Sequence, residues 1–285
     1  MKRISQVFEA KEQAEGVGAR VKRFIGVRNL PNLDPFLMLD NFNVKLPGGF
    51  PDHPHRGMET VTYMLSGAIK HEDFKGNAGD LEGGDVQWMT AGKGIVHAEM
   101  PASFDVPAYG FQLWLNLDKA HKYCEPQYQE FKADKIPSYK DDKIFAKVIA
   151  GKVFDVAGPV VARTPAYFLD FTIQPGIEYE HTIPKNWNAM IIVHQGSVTI
   201  QDSQKVSKGS AAVMTPSSQE DEIIKFKVGV NETRFIMLAG QPLNEPIAAQ
   251  GPFVLNEREE LYRAFEDYQT AKNGFEGADT WRSDI

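Results

Sequence analysis

Cysteine is almost absent from the chain: Cys124 is the only one in 285 residues. That excludes a disulfide framework and a zinc site built from thiolates, and it points to a reducing compartment. Long apolar runs are also missing. The start, MKRISQVFEAKEQAEG, has no hydrophobic core, so it does not read as a secretory signal. Purely apolar stretches such as Ala189–Val193 fall far short of the roughly 20 residues of a membrane-spanning helix. GxSxG, phosphate-loop and dinucleotide motifs are absent as well. Basic residues are in deficit, 31 against 38 acidic, for a net charge of −7. Direct nucleic-acid contact is therefore disfavoured, because neutralising phosphates needs clustered Lys and Arg. These absences describe a soluble intracellular protein, expected to be monomeric and free of membrane contact. No basic run decides between nucleus and cytoplasm.

What is present is strand signal. Thr60–Leu65, Leu113–Leu117, Tyr167–Ile173, Met190–Val193, Val198–Ile200 and Arg234–Leu238 are short, alternating, and rich in β-branched and aromatic residues. Gly, Pro, Asn or Asp bounds each of them. The fold class is all-β, built from sandwiches or barrels. One stretch differs: Leu261, Phe265 and Tyr268 share a helical face, which predicts a C-terminal helix near 257–272 with Asn256 as N-cap. The charged segment 119–143 is the best boundary, dividing the chain into 1–132 and 133–285. The halves echo each other. Tyr63-Met64-Leu65-Ser66-Gly67 parallels Ile192-Val193-His194-Gln195-Gly196, and Gly84 to Gly92 parallels Gly209 to Pro216. Two copies of one barrel is the economical reading.

Two of the seven histidines form His53-Pro54-His55. Residues i and i+2 of an extended segment face one side, and Pro54 keeps His53 extended, so two imidazoles project together. His97-Ala98-Glu99 repeats the device with a carboxylate. Three imidazoles and a carboxylate on neighbouring strands suit a first-row divalent metal with open coordination positions, iron only loosely favoured. Glu59 shares the parity of His53 and His55 unless Gly57 breaks it. Spacing alone does not choose between Glu59 and Glu99.

The arrangement His-x-His-(x)3-Glu-(x)7-Gly, followed by Gly84-(x)5-Thr90-Ala91-Gly92-(x)4-His97, resembles the two motifs of the cupin superfamily. The stretches FPDHPHRGMETVTYMLSGAIKHEDF and GGDVQWMTAGKGIVHAEMP more specifically resemble the pirin family, and the likeness runs on through LDPFLMLDNF, EPQYQE, RTPAYFLDF and AKNGFE. The resemblance implies a bicupin: two antiparallel β-barrels with a C-terminal helix. It implies one iron, ferrous or ferric, held in the N-terminal barrel by His53, His55, His97 and Glu99, and so assigns the carboxylate to Glu99. It also implies opening of a flavonol such as quercetin by a 2,3-dioxygenase reaction, with Glu99 taking the substrate's 3-hydroxyl proton. The alternative it carries is a nuclear co-regulator whose iron state alters its binding of transcription factors near Arg20, in the basic group Arg20, Lys22 and Arg23.

The C-terminal barrel lacks a His-x-His, and His181 and His194 stand apart, so it is expected to be metal-free. His71 and His121 read as solvated or locally hydrogen-bonded. Trp88, Phe111 and Trp114 are candidates to line a flat aromatic pocket, although core packing is the commoner use of such residues.

Overall fold

The computed structural model describes residues 1–216 and 222–285, in two compact units. The first comprises Glu12–Ala133 and Leu243–Ile285, and the second Met1–Lys11 and Asp134–Pro242. The break at 133/134 adjoins the one expected at 132/133, but each terminus belongs to the opposite unit from that expectation. Pairing explains the exchange. Strand Arg3–Glu9 adds antiparallel to Ser210–Thr215. Just before it, the buried Lys2 ammonium donates to Glu222 at 2.6 Å and to the Trp187 carbonyl. At the other terminus, Phe253, Leu255, Leu261, Ala264 and Phe275 bury themselves against Val96 of the first unit. Nor is 119–143 a plain linker: Gln127–Phe131 pairs with Val86–Thr90, and Ser138–Lys140 pairs with Ile144–Ala150.

Among the described residues, each unit stacks a seven-stranded antiparallel sheet on a four-stranded one. In the first unit the large sheet runs, edge to edge, Gln127–Phe131, Val86–Thr90, Met58–Ser66, Ala108–Asn116, Phe36–Val44, Ala19–Ile25 and Glu12–Glu15. Its small sheet runs Phe50–His55, Ile95–Pro101, Ala68–Asp73 and Ala78–Glu82. The second unit repeats this order. Arg3–Glu9 takes the edge held by Gln127–Phe131, while Glu178–Ile183 and Glu222–Val228 stand where Phe50–His55 and Ile95–Pro101 stand. Its core joins both sheets, Phe171, Ile191 and Phe235 of the large one meeting Tyr179, Ile200 and Phe226 of the small one. The two predicted all-β repeats are present, each as a pair of sheets rather than a closed barrel. The sequence echo is structural: Gly67 and Gly196 turn equivalent hairpins at φ +71° and +72°, a left-handed conformation that glycine adopts without steric cost.

The C-terminal helix spans Arg258–Gln269, and its N-cap is Glu257 rather than Asn256. The Glu260 carboxylate accepts from the backbone N–H groups of Glu257 (2.9 Å) and Asn256 (3.1 Å), a capping box that leaves the Asn256 amide to donate to Glu245 and the Pro246 carbonyl.

Gly57 is the turning point of the first unit. At φ +81° it ends Phe50–His55 and sends the chain into Met58–Ser66 of the other sheet. Its backbone lies against the C-terminal segment, where an added Cβ would stand 2.0 Å from the Val254 carbonyl oxygen. The buried Lys122 ammonium bridges the same place, donating to the Gly57 carbonyl (2.9 Å), the Asn116 amide oxygen (2.5 Å) and the Val254 carbonyl (3.0 Å). Gly57→Ala is expected to cost about 1–3 kcal/mol from the backbone conformation alone, and more from displacing residues 252–254. Urea titration against wild type measures it.

Candidate metal centre

Strand pairing builds the centre. Phe50–His55 and Ile95–Pro101 are adjacent and antiparallel, with His53 directly opposite His97. A bulge between His97 and Glu99 shifts the register, so that Glu99 comes opposite Phe50. The three imidazoles converge, with ring centroids 4.8 Å apart for His53–His55, 4.5 Å for His53–His97 and 5.1 Å for His55–His97. Ligand atoms from all three lie within 4.8 Å of one another.

The hydrogen bonding leaves donor nitrogens for a metal. His53 Nδ1 sits 2.8 Å from the Pro51 carbonyl, which favours its proton there and leaves Nε2 with a lone pair. That Nε2 lies 3.1 Å from His97 Nε2, close to the separation of two adjacent nitrogen ligands on a single ion about 2.1 Å from each. His55 is buried and neither ring nitrogen completes a hydrogen bond; the Pro252 carbonyl lies close enough only to favour its proton slightly. His97 Nδ1 is likewise buried without a partner. A buried polar atom left unsatisfied costs about 1–3 kcal/mol, so three on one small cluster form a site that gains by binding something. Burial, reinforced by the mutual proximity of the imidazoles, holds the pKa of His55 and His97 well below the usual histidine value. Both stay neutral at physiological pH, the form that ligates metals. These residues fit a divalent metal ion.

Glu99 lines the same cavity but lies outside the tight histidine group. Gln112 Nε2 donates to its Oε2 at 3.3 Å, and the Thr62 hydroxyl lies 2.8 Å from its Oε1. Glu59 is elsewhere. Beyond the Gly57 turn it belongs to the large sheet, fully buried, and accepts the Thr90 hydroxyl at 2.7 Å. The parity that links Glu59 to His53 and His55 in sequence is thus broken at Gly57.

The cavity over the histidines has a volume of about 560 Å³. Val21, Met38, Phe42, Phe50, Ile69 and Trp114 supply apolar walls; Glu15, Arg23 and Asp40 supply a charged one. Trp114 stands edge-on to His55 at 5.3 Å. Trp88 and Phe111 are fully buried core and take no part in the lining. Arg23 grips Asp40 through Nε (2.8 Å) and Nη2 (2.6 Å) and also reaches Glu15. Burial raises the Asp40 pKa against the opposing pull of Arg23. Arg20 is paired with Glu12, so carboxylates engage two members of the basic group. Sequence reading did not single out Gln112, Thr62, Asp40, Gly251 or Pro252. The last two reach the cavity from a segment about 200 residues away in the chain.

The other histidines lie apart from the cluster. His71 is buried rather than solvated, with Nε2 2.9 Å from Glu130 and its ring stacked on Tyr128. His121 pairs locally with Asp118 at 2.7 Å. In the second unit His194 lies 3.6 Å from Asp170, and His181 Nδ1 is 2.8 Å from the Tyr179 hydroxyl. Matching strand ends, Phe50–His55 with Glu178–Ile183 and Ile95–Pro101 with Glu222–Val228, align the two units position by position, although the second lacks the bulge after His97. His181 opposes Ile224 as His53 opposes His97, and Ile183 opposes Glu222 as His55 opposes Ile95. Three of the four centre positions in the second unit are therefore Ile183, Ile224 and Phe226, all buried in its core.

Comparison with known proteins agrees with this fold. Residues 18–115 match the Pirin family model, and residues 168–274 match that of the Pirin C-terminal cupin domain. Human Pirin is 46% identical over 288 aligned residues, covering 100% of this chain and 98% of that protein. A crystal structure of a quercetin 2,3-dioxygenase from Acinetobacter baumannii superposes with a TM-score of 0.87 at 31% identity, covering 96% of this chain and 99% of that one. The bacterial pirin YhhW from Escherichia coli, crystallised with nickel(II), shares the fold with a TM-score of 0.68 at 19% identity, covering 83% and 99% of the two chains. With a bicupin architecture, family matches in both halves and full-length similarity to human Pirin, the chain belongs to the pirin family.

Proposed function

We propose that the protein is an iron-dependent flavonol 2,3-dioxygenase of pirin type, holding one iron per chain through His53, His55, His97 and Glu99. The observation that carries this reading is the convergence of three imidazoles, with both ring nitrogens of buried His55 lacking a completed hydrogen bond. The likeness to a quercetin 2,3-dioxygenase over nearly the whole chain supports the reaction class. Bound iron would supply a Lewis acid that acidifies a flavonol 3-hydroxyl and brings substrate and dioxygen together.

The chain's own groups do the rest. Trp114, Phe42 and Phe50 form walls suited to a flat aromatic ring and exclude water from it. Glu99, steadied by Gln112 and Thr62, accepts the hydroxyl proton. The second unit, with Ile183, Ile224 and Phe226 at the equivalent positions, contributes packing rather than a second centre. A metal-state-dependent co-regulator has less support, because Glu12, Glu15 and Asp40 engage Arg20 and Arg23 of its expected contact group.

Four outcomes test the proposal. His97→Ala should lose most bound iron while keeping its β circular-dichroism signal, whereas His181→Ala and His194→Ala should retain about one iron per chain by elemental analysis. Full iron in a His53→Ala/His97→Ala double variant sinks the ligand assignment. Glu99→Gln should keep part of its iron yet turn over quercetin about 10²–10⁴ times more slowly, since the amide cannot accept the proton; dioxygen uptake and carbon monoxide release report it. Iron-replete wild type that does neither removes this substrate.

Acid should act in a defined direction. His55 and His97 have folded pKa values below their unfolded ones, so the unfolded chain binds more protons in that interval. Metal-free stability should fall as pH drops below about 6.5, measured by thermal melts across pH. The last test is titration of bare duplex DNA, where affinity at physiological salt should be weak or absent.

A further inference from the structure

The residue that follows His55 has no role in the chemistry above, yet it is one of the most completely used side chains in the protein. Arg56 is fully buried. Its Nε donates to the Lys93 carbonyl at 2.6 Å, one nitrogen of its fork donates to the Asp267 carboxylate at 2.7 Å, and the other donates to the Asn273 carbonyl at 2.7 Å. Its plane packs over Phe275, 4.7 Å from the ring centre, with Tyr123 at 5.7 Å. Its backbone is engaged too, since Val254 N–H donates to the Arg56 carbonyl at 3.0 Å and Arg56 N–H donates to Pro252 at 3.3 Å.

These contacts join three things. Arg56 follows the strand that carries His53 and His55. Lys93 belongs to the turn that enters the strand carrying His97. Asp267 and Asn273 belong to the C-terminal helix and the turn after it. One guanidinium therefore bridges the ends of the two histidine-bearing strands and ties them to the helix. A planar fork with donors at fixed angles can do this where a lysine cannot.

We propose that Arg56 and Asp267 form a latch through which the C-terminal helix positions His53, His55 and His97, so that metal affinity and helix order are coupled. This rests on the metal-centre reading above. Neither residue touches the reacting atoms; both are positioning residues. Coupling is reciprocal: whatever the helix contributes to metal affinity, the metal returns as helix order.

The test uses the full chain, with Fe(II), Co(II) and Ni(II) as probes, in wild type, Asp267→Asn, Asp267→Glu and Arg56→Lys. Asp267→Asn keeps the shape of a partly exposed helix residue, and metal-free circular dichroism and melting of each variant separate loss of fold from loss of the latch. The latch predicts that Asp267→Asn and Arg56→Lys weaken metal binding about tenfold or more, the usual effect of removing a partner that orients the ligands. It predicts that they alter the Co(II) absorption bands and shrink the metal-induced rise in Tm. Asp267→Glu should recover part of the affinity. In wild type, metal should slow amide exchange across residues 258–269, and in Asp267→Asn it should do so less. A purely structural role would lower the melting points of metal-free and metal-bound protein alike and leave affinity unchanged. Metal dissociation constants within twofold of wild type in both Asp267→Asn and Arg56→Lys overturn the latch alone. Wild type that binds none of the three metals overturns the latch and the metal-centre reading together.

Discussion

The first unit depends on keeping three imidazoles together, two of them buried where water cannot serve them. Desolvation keeps the buried pair, His55 and His97, neutral, and neutral imidazole is the form that ligates metals. Desolvation also makes them costly while their nitrogens lack partners, and the surrounding structure is arranged to bear that cost. Pro54 holds the strand extended, the Pro51 carbonyl orients His53, and Trp114 closes over His55. Lys122 and Arg56, two buried cations, bind the turn after His55 to the C-terminal segment, so the strand end is fixed by charge-assisted hydrogen bonds rather than by apolar packing alone. Burial pushes the Lys122 pKa down to about 8, against the opposing pull of Glu245, Glu260 and Asp118.

The second unit shows the same fold without that demand. At the positions of His55, His97 and Glu99 it has Ile183, Ile224 and Phe226, and these join a continuous apolar core with Phe171 and Phe235. Phe226 lies 4.9 Å from Phe235, ring centre to ring centre. The site and the core are alternative fillings of one space between two sheets. A fold that gains most of its stability from that interior can give up one copy of it to chemistry when the other copy remains closed.

Much of this was legible in the chain. The i,i+2 histidine pair projects to one side because strand geometry requires it, and Gly57 announced itself as a place where parity could break. Paired hairpins ending in Gly67 and Gly196 signalled duplication. What escaped was non-local. Arg3–Glu9 alternates like any strand, and nothing within it says that its partner lies 200 residues on. Gln112 and Thr62 hide in alternating strands, where a polar residue on the inner face is indistinguishable from one facing solvent. Glu99 and Glu59 are equivalent by spacing; only their sheets, set by the Gly57 turn, separate them. Asn256 has the composition of an N-cap, yet Glu257 takes the position because Glu260 can reach back to both backbone N–H groups.

The exchange of termini bears on how the chain can be made and cut. The second unit needs residues 1–11 together with 134–242, and the first needs 12–133 together with 243–285. A ribosome releasing the chain from its N-terminus exposes an edge strand whose partner, Ser210–Thr215, emerges last among the strands of its large sheet except Thr233–Gly240. No contiguous half of the gene encodes a whole unit, so a cut at the apparent midpoint yields two fragments, each missing a piece held by the other.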